Sequence, residues 1–152
     1  MAIAKRALKT TGLNGKVKCL EDDASCILNG EQTRRGMDVW GTGASTLFLC
    51  ALTFQDSEAD YGGGVFITSN AIVTIELCVF SNCRSTHSSV GGGAICIDST
   101  GGTVNAYGTS FNDNTAASGN GDDIYRYNAG TITIHNTCPS PYSSNTPTQG
   151  EI

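Results

Sequence analysis

The 152-residue sequence predicts an all-β chain wound as a right-handed, single-stranded parallel β-helix of about four to five coils. Three observations lead there. Short segments recur at shifts of 26 to 31 residues, and apolar and polar residues alternate within them. The composition is also rich in glycine (19 residues) and poor in charge (15%). Sparse charge with much Gly, Ser, Thr and Asn disfavours a helical bundle, which draws on Ala, Leu, Glu and Lys. It suits many short strands joined by turns.

The repeat has two parts. Gly63-Gly64-Val65-Phe66-Ile67 returns as Gly92-Gly93-Ala94-Ile95-Cys96, read at a shift of 29 (92 − 63), and the same shift leads to Gly121-Asp122-Asp123-Ile124-Tyr125. The second part runs from Leu47 to Phe54. It matches Val73 to Phe80 at a shift of 26 and Val104 to Phe111 at 31, and Thr131 to Cys138 continues it with Cys138 one place short of the phenylalanine. The alternation assigns faces, because successive strand side chains point to opposite sides. Leu47, Leu49, Val73, Ile75, Val104, Ala106, Ile132 and Ile134 are expected to point inward. Thr46, Phe48, Thr74, Asn105, Thr131 and Thr133 are expected to point outward. Phe54, Phe80 and Phe111 then form an inward aromatic ladder.

The turns fit this winding. Gly62-Gly63-Gly64 and Gly91-Gly92-Gly93 precede strands, where glycine permits positive φ and close approach of the next coil. Asn82, Asn112 and Asn114 follow the phenylalanines at corners, and asparagine tolerates the left-handed region. A Gly-rich run can cradle phosphate, but no helix follows these runs to supply the dipole that such binding uses.

Three regions follow. Residues 1–35 are expected to form an N-terminal cap and an incomplete first coil. Ala2 to Leu8 would cover one end as a short helix or strand, and Val17 to Leu20 with Cys26 to Leu28 would supply the partial coil. Residues 36–138 carry the β-helix, with Gly36 to Trp40 opening the coil that closes at Phe54. Residues 139–152 begin Pro139-Ser140-Pro141, which removes ladder donors, and are expected to be an irregular cap or tail.

Composition bounds the partners. The net charge is −5, which argues against general affinity for nucleic acid or anionic membrane. The positive charge is concentrated at the start, at Lys5, Arg6, Lys9, Lys16 and Lys18. No stretch is apolar enough to span a membrane, and Met1 to Arg6 lacks the apolar run of a secretion signal. An extracellular or cell-surface protein is expected, its signal removed or carried by a larger precursor, with a lumenal or organellar compartment as the second reading. Seven cysteines exceed ordinary cytosolic usage. Cys19 and Cys26 are spaced to form a bridge, and the odd count leaves a thiol over. With no CxxC, and with His87 and His135 far from paired cysteines, zinc is not expected.

The segments GGVFI, GGAICI and FNDNTAASGNGDDIY resemble the glycine-rich β-helix repeats of polymorphic outer-membrane proteins and related adhesin-like surface proteins, and of their uncharacterised relatives in diatoms and other algae. The family pattern is Gly-Gly-Ala-Ile with a following Phe-x-x-Asn. Phe111-Asn112-Asp113-Asn114 keeps it, whereas the runs from Phe54 and Phe80 end in Ser57 and Cys83. The resemblance spans residues 36 to 138 and rests on core and turn positions, so it speaks for fold before activity. It implies a part of a larger surface assembly with an adhesive or structural role.

The first functional reading is therefore a non-catalytic structural or interaction module, an accessory subunit or fragment of a larger assembly, with a protein partner or a glycan. The second is a carbohydrate-active lyase or hydrolase of the pectin-lyase-like fold. That chemistry needs clustered carboxylates, and Asp122-Asp123 with Asp98 and Asp113 are the candidates. Capping of a turn is the plainer role for the pair, and no GHG or basic motif accompanies it. The third is ice binding on an outward threonine grid. Its columns read Thr46, Ile72, Thr103, Thr131; then Phe48, Thr74, Asn105, Thr133; then Cys50, Glu76, Tyr107, His135. The grid is interrupted. Asp56, Glu58 and Asp60 offer oxygen ligands for calcium, against the plainer reading of a solvated acidic turn. Cys78, at an inward position, is expected to be inert. No residue set marks a catalytic, cofactor-binding or metal centre, and no cofactor is called for.

Overall fold

A computed structural model describes residues 8–11, 14–19, 26–41, 45–98, 101–127, 129–135 and 137–138. Among them every regular element is a strand. The first pass of the chain contributes β1 (Leu8–Thr11), β2 (Gly15–Lys18) and β3 (Cys26–Asn29). The second contributes β4 (Met37–Trp40), β5 (Thr46–Cys50), β6 (Leu52–Gln55) and β7 (Glu58–Ala59). The third gives β8 (Val65–Thr68), β9 (Ala71–Glu76), β10 (Val79–Ser81) and β11 (Arg84–Ser85). The fourth gives β12 (Ile95–Ile97), β13 (Gly102–Tyr107), β14 (Ser110–Asn112) and β15 (Thr115–Ala116), and the last β16 (Ile124–Arg126) and β17 (Thr131–Ile134).

Each strand pairs in parallel with its counterpart in the neighbouring pass, and four stacked sheets result. The first face is β1-β4-β8-β12-β16, the second β2-β5-β9-β13-β17, the third β3-β6-β10-β14, and the fourth the short β7-β11-β15. The expected parallel β-helix is thus what the chain forms, a β-solenoid of about four turns.

The interior is built by stacking like on like. Leu47, Val73, Val104 and Ile132 share one inward column of the second face, and Leu49, Ile75, Ala106 and Ile134 share the next; all are buried. Phe54, Phe80 and Phe111 stack at centroid distances of 4.7 and 5.5 Å with rings within 9° of parallel. One long apolar core results. Burying about 25 cal/mol per Å² of apolar surface is the main term favouring the fold.

The corners on either side of the third face are single left-handed residues. Ala51, Leu77 and Gly108 turn the chain from the second face to the third, and Asp56, Asn82 and Asp113 from the third to the fourth, all at φ between 48° and 54°. Asn82 holds its expected corner, but in the next coil the left-handed residue is Asp113, not Asn112 or Asn114. Asn114 lies behind the corner as an inward, buried side chain. Its Oδ1 accepts from the Cys83 amide at 2.9 Å, and its Nδ2 donates to the Phe80 carbonyl and the Asp123 carboxylate. A buried amide is tolerated because all its bonds are made.

One expectation about register is corrected. Val65 pairs with Ile95 and Phe66 with Cys96, a shift of 30 (95 − 65), so Gly62-Gly63-Gly64 corresponds to Gly92-Gly93-Ala94 and Gly91 is an added residue. The left-handed φ values of Gly62 (54°) and Gly92 (74°) agree with that alignment. A Cβ on either would stand 3.0 Å from the Cβ of the outward residue one coil on, Cys96 or Tyr125. In the N-terminal segment a further strand, β1, joins the two that the partial first coil called for. β1, β2 and β3 continue three of the four faces in register with β4, β5 and β6. The expected Cys19–Cys26 disulfide is present and closes the connection between β2 and β3. The N-terminal cap before Leu8 and the C-terminal cap after Cys138 lie outside the described residues.

The connections that return from the fourth face to the first differ in length, with five residues at 60–64, nine at 86–94 and seven at 117–123. Extra residues here leave the strand ladder untouched, because the added chain projects from the rod.

Candidate functional site

The first face carries its outward side chains in columns set by the register. Asp38, Phe66, Cys96 and Tyr125 form one column. Cys96 is a small residue between two rings. It sits outside the inward core cluster yet is only 1% exposed, because neighbouring outward groups cover it. The result is a groove of about 340 Å³ with Cys96 in its lining, within the ~300–1,000 Å³ typical of small-ligand clefts.

Two connections wall one side. Tyr61, from the five-residue connection, packs against Phe66 at 5.8 Å and against His87, from the nine-residue connection, at 4.7 Å. Ser89 and Val90 complete that wall. On the other side, where the strands end, stand the half-buried Asp98 and the exposed Tyr127, whose ring meets Tyr125 edge-on at 6.1 Å. Partial burial pushes the Tyr125 phenol above its ordinary pKa, with Tyr127 and Cys96 adding to the effect.

The Tyr61 wall is held from behind. Arg35 donates to the Tyr61 carbonyl at 2.7 Å through Nη2 and to the Gly62 carbonyl at 3.1 Å through Nε, pairs with Asp38, and lies 4.7 Å over the Phe66 ring. A planar guanidinium suits this combination of forked donation and ring stacking.

The candidate acids do not converge. Asp122 Oδ1 accepts from the Ala116 amide and Asp123 Oδ1 from Asn114, both at 2.9 Å, so the pair holds a turn and the Asn114 network in place. Asp113 is an exposed corner residue, and Asp98 belongs to the groove on the first face. The other acidic trio is equally divided. Asp56 accepts from Asn82 and Asn29, Glu58 faces Arg84 at 3.5 Å, and Asp60 accepts from Thr86. Among the described residues no three His, Cys, Asp or Glu side chains gather at a metal-sized site.

His87 and His135 are on different faces. His135 stacks on Tyr107 at 3.8 Å on the second face, where the outward columns follow the expected order, with Thr46 beside Ile72 and Phe48 beside Thr74. Tyr107 and the 60%-exposed Leu77 break that face's flatness and line a shallow groove with Phe48 and Thr74. A third groove crosses the fourth face over the Glu58–Arg84 pair. Cys50, Cys78, Cys83, Cys96 and Cys138 are free and buried. Burial pushes the Cys78 thiol up to about 11 and those of Cys83 and Cys96 up to about 12, which leaves them protonated and unreactive at neutral pH. No helix among the described residues is long and apolar enough to cross a membrane.

The aromatic groove is the site that sequence reasoning missed. Phe66, Cys96 and Tyr125 are spaced to reveal it, but only when the first repeat is aligned at 30 residues. No protein-family model matches the chain, and no curated protein or solved structure matches it significantly.

Proposed function

We propose that this protein is a non-catalytic interaction module, a rigid rod that presents the first-face groove to a partner as part of a larger surface assembly. The observation that carries the reading is the division of labour among its polar groups. The acids that could form a general acid–base pair are engaged in turns and corners, while the open groove gathers aromatic rings around one carboxylate. Acid–base cleavage of a glycosidic bond needs two carboxyl groups facing one bond. Recognition needs aromatic area with a few placed polar groups.

The likeness of its glycine and Phe-x-x-Asn segments to adhesin-like surface repeats supports the larger assembly. The Cys19–Cys26 bridge supports an oxidising compartment, and with it an extracellular or cell-surface location. The test is turnover. The protein is incubated with neutral and acidic polysaccharides while reducing ends and unsaturated-product absorbance are followed. No turnover above buffer is expected. Turnover that disappears in the Asp122→Asn, Asp123→Asn double variant would overturn the reading.

A further inference from the structure

We infer that the first-face groove binds a neutral glycan chain, stacking sugar rings on Tyr125 and Tyr127 against the Tyr61 wall and accepting hydroxyl hydrogen bonds at Asp98. This rests on the interaction-module reading and adds the class of ligand.

Three features of the groove select that ligand. The first is its mixture of surfaces. An aromatic face carries negative quadrupole density and attracts the weakly positive C–H face of a pyranose. The hydroxyls at the sugar's edge need acceptors, and an ionised carboxylate is an acceptor with two oxygens. Rings and carboxylate occur together here in one trough, with Tyr127 beside Asp98 and Tyr61 across from them.

The second is charge. Asp98 is the one carboxylate in the lining, which contains no Lys or Arg, and the chain as a whole is at −5. Uronate-rich and sulfated glycans would be disfavoured, since the cation behind the groove, Arg35, is already paired with Asp38. A proline-rich peptide would use the rings but gain nothing from Asp98, since proline has no backbone donor.

The third is preorganisation. Arg35 fixes the Tyr61 connection, and Tyr61 in turn packs on His87 and Phe66. Rings already held in place lose little freedom on binding. Cys96 lies at the base of the trough, where the coils on either side carry Phe66 and Tyr125. Filling that one position would erase the site while extending a ring column already present on the rod.

The experiment is titration calorimetry with the neutral hexasaccharides of cellulose, xylan, mannan and laminarin. Oligogalacturonate and decaproline serve as the anionic and peptide alternatives, and tyrosine ring resonances are followed in parallel. At least one neutral hexasaccharide is expected to bind and to shift the Tyr125 and Tyr127 signals. Tyr125→Ala and Asp98→Ala are each expected to weaken it about tenfold. Cys96→Tyr should abolish it with the strand signature and melting transition retained, and Tyr107→Ala, on the second face, should leave it unchanged. Should Cys96→Tyr fail to fold, Tyr127→Ala takes its place with a loss of about tenfold.

No binding by any neutral hexasaccharide, binding of only oligogalacturonate or decaproline, or binding indifferent to the groove variants overturns the inference. None of these outcomes touches the absence of catalysis, which turnover decides separately.

Discussion

Burial at single positions sets the protein's response to alkali. Cys78, Cys83 and Cys96 are held as thiols up to about 11, 12 and 12, against an ordinary value of 9.0. In the unfolded chain they ionise near that ordinary value. Below it both states are protonated and the thiols leave stability independent of pH. Above it the unfolded state loses protons that the folded state keeps, so stability falls, by about 1.4 kcal/mol per pH unit for each thiol. The decline continues until pH reaches the folded values. Urea midpoints measured from about pH 8 to 11 should therefore drop steadily above 9, and Cys83→Ala should make the slope shallower. A flat profile would contradict the burial of these groups.

At the scale of elements, the phenylalanine ladder is the clearest link between sequence and packing. Phe54, Phe80 and Phe111 were legible as an inward column because each closes an alternating segment at matching spacing, and they stack in the fully registered third face. Phe80, the middle ring, has a stacked neighbour on both sides. Phe80→Ala should destabilise the protein by about 3–5 kcal/mol, read from chemical denaturation, and more than Phe111→Ala, whose side chain is less completely buried.

The first face was harder to read. Its glycines align equally well to the eye at 29 or 30 residues, yet a one-residue slip exchanges the two faces of a strand. At 29, Phe66 falls beside the inward Ile95, and the outward run through Cys96 to Tyr125 disappears. Composition could not arbitrate, because Val65, Phe66 and Ile67 are all apolar. Asn114 was misread for a related reason. Asparagine suits both a left-handed corner and a satisfied core position, and only the position of Asp113 decides between them.

Over the whole molecule, stability is passed between neighbouring coils, since each strand bonds only to the passes above and below it. Solenoids of this kind open from their ends. The first pass has one strand neighbour per face and extends the apolar columns only with the partly buried Val17 and Leu28, but the Cys19–Cys26 bridge pins β2 to β3. Reducing it should speed amide exchange in β1, β2 and β3 while β9 and β13 stay protected, and should cost about 2–3 kcal/mol of end stability on loop-closure grounds. Equal acceleration throughout would show that the rod opens as one unit. The middle passes therefore make a stable chassis for whatever projects from them. Within the run at 86–94, Thr86, His87, Gly92, Gly93 and Ala94 bond to neighbouring coils, so its middle, 88–91, is the part that can serve as an exchangeable cassette: segments of other lengths and chemistries spliced there would change what the trough presents while every rung beneath kept its partner.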